Sequence, residues 1–343
     1  MRRFLLRTIA ASAIVIGALT LAASWVWHDM QSALDRPIQL GGLSALFEIE
    51  RGASVAQITR RIEGLGWLKH DLYLRVEARR LKLSGDIKAG LYEVKNGTTP
   101  RELLQRFVQG DVKEFRITFI EGSTFAEMRA VLARHKRLKQ TLAGKDESWI
   151  LAQIDSSLTH VEGQFFPSTY NFSNGDSDLE ILRRAHKQLQ ELLAMYWESR
   201  VPNLPYKSFH DALIMASIVE KETGRADERA QIAGVFVRRL RKSMKLQTDP
   251  TVIYGLGDKF DGNLRRVDLQ TDTAYNTYTR YGLPPTPIAM SGEASIRAAL
   301  NPAPGKYLYF VGKGDGSHAF SKNLKEHNSA VRRFQLSGRQ ATP

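Results

Sequence analysis

The sequence predicts a mixed α+β protein in three parts: an N-terminal transmembrane helix, a small α/β module and a larger mixed α+β domain. Three observations carry that prediction. An uncharged run extends from Thr8 to Trp27. A strand, glycine turn, helix pattern recurs three times between Phe47 and Leu132. Beyond Gly110, stretches of helical periodicity surround short aromatic strands such as Lys306-Tyr-Leu-Tyr-Phe-Val311. The resulting division is a cytoplasmic tip and anchor (1–27), a linker (28–44), the small module (45–110), the larger domain (111–335) and a tail (336–343).

The anchor comes first. Arg2, Arg3 and Arg7 precede the apolar run without any acid, and a run of about 20 residues suffices for one membrane crossing. Arginines before the run, with mixed charges after it at His28, Asp29, Asp35 and Arg36, place the N-terminus inside and the bulk of the chain outside. Leu21-Ala22-Ala23-Ser24 offers small residues where a signal peptidase could cut. The length of the run and the bulky Trp25 and Trp27 that follow favour an uncleaved anchor over that alternative.

No cysteine occurs among the 343 residues, which excludes disulfides, thiol nucleophiles and thiolate metal sites. The net charge of +13 calls for an anionic partner. An exported location argues against nucleic acid and for lipid headgroups or an acidic wall polymer. The basic clusters Arg134-His135-Lys136-Arg137 and Arg238-Arg239-Leu240-Arg241-Lys242 read as solvated helix faces, because the apolar stripe Ile232, Val235, Phe236, Leu240 takes the other side of the second.

The repeats begin at Phe47, Tyr92 and Ile117. Gly52, Gly97 and Gly122 supply the turns, where a side chain would resist the backbone conformation, and Ser54, Thr99 and Thr124 are placed to cap the following helices. Pro100 falls at a first helical position, where a missing amide hydrogen costs nothing. A strand, then a glycine followed by Ser or Thr, then a helix resembles the opening of a LysM module, a small wall-polysaccharide-binding unit. No spaced aromatic platform marks a sugar groove, so Trp67, Tyr73 and Tyr92 read equally as core.

Further along, Glu162-Gly-Gln-Phe-Phe-Pro-Ser-Thr-Tyr170 packs aromatics around a glycine and a proline and predicts a rigid, partly buried loop. A helix is predicted from about Ser177 to Glu198, ended by the Pro202 to Pro205 break. Ser208 then opens a helix that is apolar almost all round from Ala212 to Val219 and therefore buried. Glu220 and Glu222 stand at its end, with Gly224 as the expected C-cap. Glu220 shares a face with Leu213 and Ala216, so the expected surroundings are apolar and favour the protonated acid. Such a carboxyl can protonate a leaving glycosidic oxygen. The alternative is a structural glutamate bonded to backbone amides or paired with Arg225 or Arg229, and Glu222 is the reserve acid.

Ala216-Ser-Ile-Val-Glu-Lys-Glu-Thr223, Ile232 to Leu240, Leu246-Gln-Thr-Asp-Pro-Thr-Val-Ile-Tyr-Gly255, Tyr275-Asn-Thr-Tyr278 and Gly282-Leu-Pro-Pro-Thr-Pro-Ile288 together closely resemble the endolytic murein transglycosylase (YceG-like) family. Lys306 to Val311, Gly316-Ser-His-Ala-Phe320 and Glu326-His-Asn328 extend the resemblance over roughly Glu162 to Phe334. Thr286, and Ala289-Met-Ser291, depart from the family's usual turns. The resemblance implies an inner-membrane enzyme cutting nascent peptidoglycan strands between MurNAc and GlcNAc, with 1,6-anhydroMurNAc ends as product. It places the catalytic acid at Glu220 and implies a catalytic domain over 111–335, with peptidoglycan synthases as companions.

One carboxyl suffices for that chemistry, because the sugar's own C6 hydroxyl attacks C1 and no water need be activated. Substrate contacts are expected from Glu222 and from Gln247, Asp249, Tyr254, Tyr275, Asn276, Tyr278 and His318, whose amides, hydroxyls and imidazole suit N-acetyl and hydroxyl groups; turn chemistry and core packing are the competing roles. His327 and Asn328 share helical spacing with Leu324 and Val331 and read as structural. Neither metal nor cofactor is expected: no histidine pair has ligand spacing, and no phosphate loop, nucleophile elbow or dinucleotide fingerprint occurs. The competing class is a catalytically silent, membrane-tethered wall-binding or scaffold protein in which Glu220 is structural.

Overall fold

In a computed structural model of the chain, which describes residues 2–336, the apolar run lies within one helix, α1 (Arg2–Leu34). The stretch Arg7–Leu34 is long and apolar enough to cross a membrane, and its most apolar window is covered by no other part of the protein. Yet α1 outlasts its apolar run. Met30 and Leu34, one helical turn apart on one face, are buried with Ile38 in the core of the first structural unit. The expected linker over 28–44 is therefore helical as far as Leu34, because helix geometry delivers both side chains to that core.

The first unit extends to Phe115. Strand β1 (Ser44–Ile49) is followed by α2 (Val55–Gly64) and α3 (Asp71–Arg80). Strand β2 (Gly90–Lys95) then returns antiparallel to β1, Phe47 opposite Tyr92, and α4 (Pro100–Gln109) follows. Phe47 stacks on Phe107 at 5.6 Å between ring centroids, and Tyr92 meets Phe107 edge-on at 4.7 Å. Trp67 packs on Phe47 at 5.8 Å. Tyr92 donates its hydroxyl to the Lys88 carbonyl at 2.6 Å, so Trp67 and Tyr92 serve the core.

The threefold pattern is realised in each copy. Ser54, Thr99 and Thr124 accept the amide hydrogens of Gln57, Glu102 and Glu127, whose side chains reach back to the cap in reciprocal capping boxes. Gly52, Gly97 and Gly122 have φ of +82°, +91° and +78°. The third copy begins the second unit, which runs from Arg116. Its strand β3 (Glu114–Thr118) leads through that turn to α5 (Phe125–Arg134) and α6 (Glu147–Ile154), and β3 pairs with β4 (Thr169–Ser173).

Helix α7 (Asp178–Glu198) starts at a Ser177 capping box. Helix α8 (Phe209–Glu222) is capped by Ser208 and buried continuously from Ala212 to Val219. It packs against α9 (Arg229–Arg241), α10 (Asp249–Leu256) and, after a short α11 (Arg266–Gln270), α12 (Glu293–Leu300). A hairpin of β5 (Tyr309–Gly312) and β6 (His318–Ser321) pairs Gly312 with His318. It is followed by α13 (Leu324–Val331), which carries His327 under the Tyr309 ring at 5.3 Å. Of the expected tail, residues 337–343 lie outside the described residues.

Two local expectations are corrected. Helix α8 ends on Thr223 in an extended conformation, and Gly224 is not among the positive-φ glycines, so it is no left-handed cap. The Arg238 to Lys242 cluster is only partly solvated. Arg239 is buried and donates to the Leu308 carbonyl at 2.7 Å and the Leu246 carbonyl at 2.8 Å, while Arg238 donates to the Tyr307 carbonyl at 2.7 Å. The unpaired carbonyls of distant loops draw these guanidinium groups inward, a demand that helical periodicity does not register.

Candidate active site

The apolar circumference of α8 forces its middle into the core, so its first polar residues emerge where the helix ends. Glu220 and Glu222 are two residues apart, about 200° around the axis. They consequently enter two different neighbourhoods.

Glu220 faces α9 and the start of α12. Its Oε2 accepts the Gly292 amide hydrogen at 2.9 Å, and its Oε1 lies 3.6 Å from Arg229 Nη2. Only 6% of the Glu220 side chain is exposed. The apolar surroundings expected on the Leu213 and Ala216 face are corrected: residues far along the chain bring an amide and a guanidinium to the carboxylate. The turn of the third repeat closes the other side. Gly122 donates to the Met290 carbonyl at 2.8 Å, Met290 donates to the Ser123 carbonyl at 2.8 Å, and Lys221 donates to the Gly122 carbonyl at 3.1 Å. Glu121 thereby lies against Gly292, so closely that a Cβ on Gly292 would overlap its carboxyl. Burial, and then the charge of Glu220, push the Glu121 carboxyl above its usual range, against the pull of Arg229. Arg229 Nε and the hydroxyls of Ser291 and Ser295 are buried without a partner among the described residues.

Glu222 faces the start of α10. It accepts the Thr248 hydroxyl, and burial pushes its carboxyl up to about 7, with the Asp249 charge adding to the rise. Gln247 donates its amide to the Thr277 carbonyl at 3.1 Å, and Thr248 donates its own to Thr277 Oγ1 at 3.1 Å, so the two predicted segments are zipped together. Gln247 and Asp249 are exposed. Tyr278 donates its hydroxyl to Asp249. His318 opens β6 rather than lying in the preceding loop; its Nδ1 is 2.6 Å from Glu228 Oε2 and its amide donates to Glu228 Oε1 at 3.0 Å.

Tyr254 and Tyr275 meet edge-on at 4.9 Å. Tyr254 donates to Glu162 at 3.1 Å, and Tyr275 shares a hydrogen bond of 2.8 Å with Thr286. The departure at Thr286 thus supplies that tyrosine's partner. Asn276 is fully buried, its amide nitrogen donating to the carbonyls of Asp268, Leu269 and Thr271. It holds a turn and offers no atom to a ligand, which corrects its expected role.

Glu121, Glu162 and Glu228 were not expected as site residues, and Arg229 was expected only as a structural partner of Glu220. One signal does point to Glu121. The residue before the repeat glycine is Arg51 in the first copy and Asn96 in the second, and the third copy alone places an acid there.

The YceG-like family matches residues 47–333. An endolytic murein transglycosylase of Bacillus subtilis (strain 168) is 34% identical over 83% of this chain and 83% of its own. One from Streptococcus pneumoniae (strain ATCC BAA-255 / R6) is 26% identical over 91% of this chain, which spans 63% of the pneumococcal protein. The crystal structure of a yceG-like protein from Listeria monocytogenes is 29% identical with a TM-score of 0.52, covering 83% of this chain and 98% of that one. A match over most of the chain, shared by sequence and fold, makes this protein a member of the YceG-like family.

Proposed function

We propose that the protein is a membrane-anchored lytic transglycosylase that cuts peptidoglycan glycan strands internally, with Glu220 as general acid and base. The observation that carries this is the setting of Glu220 at the end of a buried helix. It stands there in a chain whose relatives bear the name endolytic murein transglycosylase.

Glu220 donates its proton to the O4 of the departing GlcNAc as the bond from MurNAc C1 to that oxygen breaks. The C6 hydroxyl oxygen of the same MurNAc bonds to C1, and its proton returns to Glu220. No water is consumed, and the new end is 1,6-anhydroMurNAc. Gly292 and Arg229 keep the carboxylate oriented between the two transfers. Gln247 and Asp249, with Tyr278, His318, Tyr254 and Tyr275 behind them, contact the sugars. The LysM-like first unit holds the strand, and α1 anchors the chain in the inner membrane with its bulk on the periplasmic side, near the synthases that supply nascent strands.

Incubating the purified protein with glycan strands tests this reading. Anhydro ends without reducing ends are expected even in dilute buffer, whereas reducing ends as the main product would mean hydrolysis and overturn it. A second reading takes Glu222 as the acid, favoured by its carboxyl rising to about 7. Glu220→Gln should lower cleavage by about 10² or more with the fold intact, and Glu222→Gln by less. The reverse order would move the acid to Glu222.

A further inference from the structure

Glu121 stands outside the roles assigned so far, yet the fold delivers it to the reaction centre. It precedes the glycine of a turn that is pinned on both sides, by the Gly122 and Ser123 bonds to Met290 and by Lys221 on the Gly122 carbonyl. Its carboxyl lies over Gly292, whose amide hydrogen is held by Glu220. It takes no hydrogen bond or ion pair from any described residue, although the neighbouring Glu220 has both. The residue is exposed, so a substrate can reach it. An unpaired carboxylate adjacent to another is held at an electrostatic cost of the kind found where two acids divide a proton-transfer task.

We infer that Glu121 is the second catalytic carboxylate, taking the proton of the attacking C6 hydroxyl while Glu220 protonates the leaving oxygen. This rests on the transglycosylase reading above and refines it, because the single-carboxyl scheme requires Glu220 to reach both oxygens in turn. The balance closes. The C1 bond to O4 breaks and O4 takes the Glu220 proton; O6 bonds to C1 and its proton passes to Glu121. Transfer of that proton from Glu121 to Glu220 then resets the site, with no co-reactant. The charged groups facing Glu121 are Glu220 and Lys221 of α8 and Arg229 of α9; α12 presents the uncharged Gly292, and the next residue, Glu293, is engaged by the Tyr196 hydroxyl. Partial desolvation, and then the charge of Glu220, raise the Glu121 carboxyl against the pull of Arg229.

The test is the pH profile of kcat for anhydro-end formation by wild type, Glu121→Gln, Glu121→Asp and Glu220→Gln. Glu121→Gln should lower kcat by about 10² while KM stays within about threefold. It should also flatten the acid limb that the wild type shows as Glu121 is protonated, with an unchanged melting temperature. Glu121→Asp, which keeps the charge but shortens the reach, should fall between and retain the limb; it carries the test should Glu121→Gln fail to fold. Wild-type kcat and acid limb in Glu121→Gln would overturn the inference, as would a raised KM with unchanged kcat, the mark of a binding contact. If Glu220→Gln is inactive in the same series, that result sinks the role of Glu121 alone. If Glu220→Gln is fully active, the assignment of the acid fails instead.

Discussion

Glu162 is a buried acid whose burden is stability. It sits in the rigid loop before β4, accepting the Phe125 amide hydrogen at 3.0 Å and the Tyr254 hydroxyl at 3.1 Å. Burial nonetheless pushes its carboxyl up to about 7. A raised acid favours the protonated folded state, so its contribution is complete below the ordinary carboxylate range and is lost as pH climbs through about 7. The rise from 4.5 to about 7 corresponds to at most about 3 kcal/mol. Denaturant unfolding from pH 4.5 to 7.5 should therefore show the wild type losing stability with a steeper slope than Glu162→Gln; equal slopes would refute the assignment. At the same scale, Gly292→Ala meets no backbone objection, with φ of −70° and ψ of 164°. Its Cβ would displace Glu121, and we expect cleavage to fall by at least about 10-fold without loss of fold, read by glycan digestion beside a thermal melt.

At the scale of elements, α1 serves two environments along one axis. Its most apolar window, within Arg7–Leu34, is covered by no other part of the protein, while Leu34 is fully buried with Ile62, Leu74, Leu103 and Phe107. Leu34→Ala should therefore cost the first unit about 2–5 kcal/mol, the usual range for a buried leucine, while the protein still fractionates with membranes. A melt unchanged from wild type would mean that the end of α1 is not part of that core. The helix caps act more modestly. Replacing Thr124 by Ala removes one side of a reciprocal box and should cost about 1 kcal/mol. Because α5 follows the turn that carries Glu121, that loss should appear in cleavage as well as in denaturant midpoint.

For the whole molecule, the proposed anchor predicts that intact protein pellets with membranes and that its C-terminal part resists protease in sealed cells. A soluble mature form beginning near Trp25 would sink the anchor. Testing the proposed glycan-holding role of the first unit needs a deletion that respects its core. Removing residues 47–110 alone would strand Met30 and Leu34 without their partners. Joining the first 28 residues to Arg116 leaves no such exposed remnant. That variant should lose retention on wall polymer while its remaining unit stays soluble; undiminished retention would assign binding to the second unit.

How far the sequence alone reached depends on the range of the interaction concerned. The three capped turns, the Ser177 to Glu198 helix, the buried middle of α8 and the apolar span of α1 were legible because periodicity, capping residues and glycine act within a few positions. The family resemblance was legible for a different reason: its segments survive as strings. What only the tertiary structure decided are the partners of side chains that end local patterns. Glu220 meets Gly292 across 72 positions, and Lys221 meets the Gly122 carbonyl across 99; no local period encodes either. The same holds for Arg238 and Arg239, whose charges read as solvated until distant carbonyls claimed them, and for Asn276, whose buried amide ties a turn. A carboxylate's neighbours are set by packing over the whole fold. The sequence therefore named the acids at the end of α8, and only the fold brought Glu121 to Glu220.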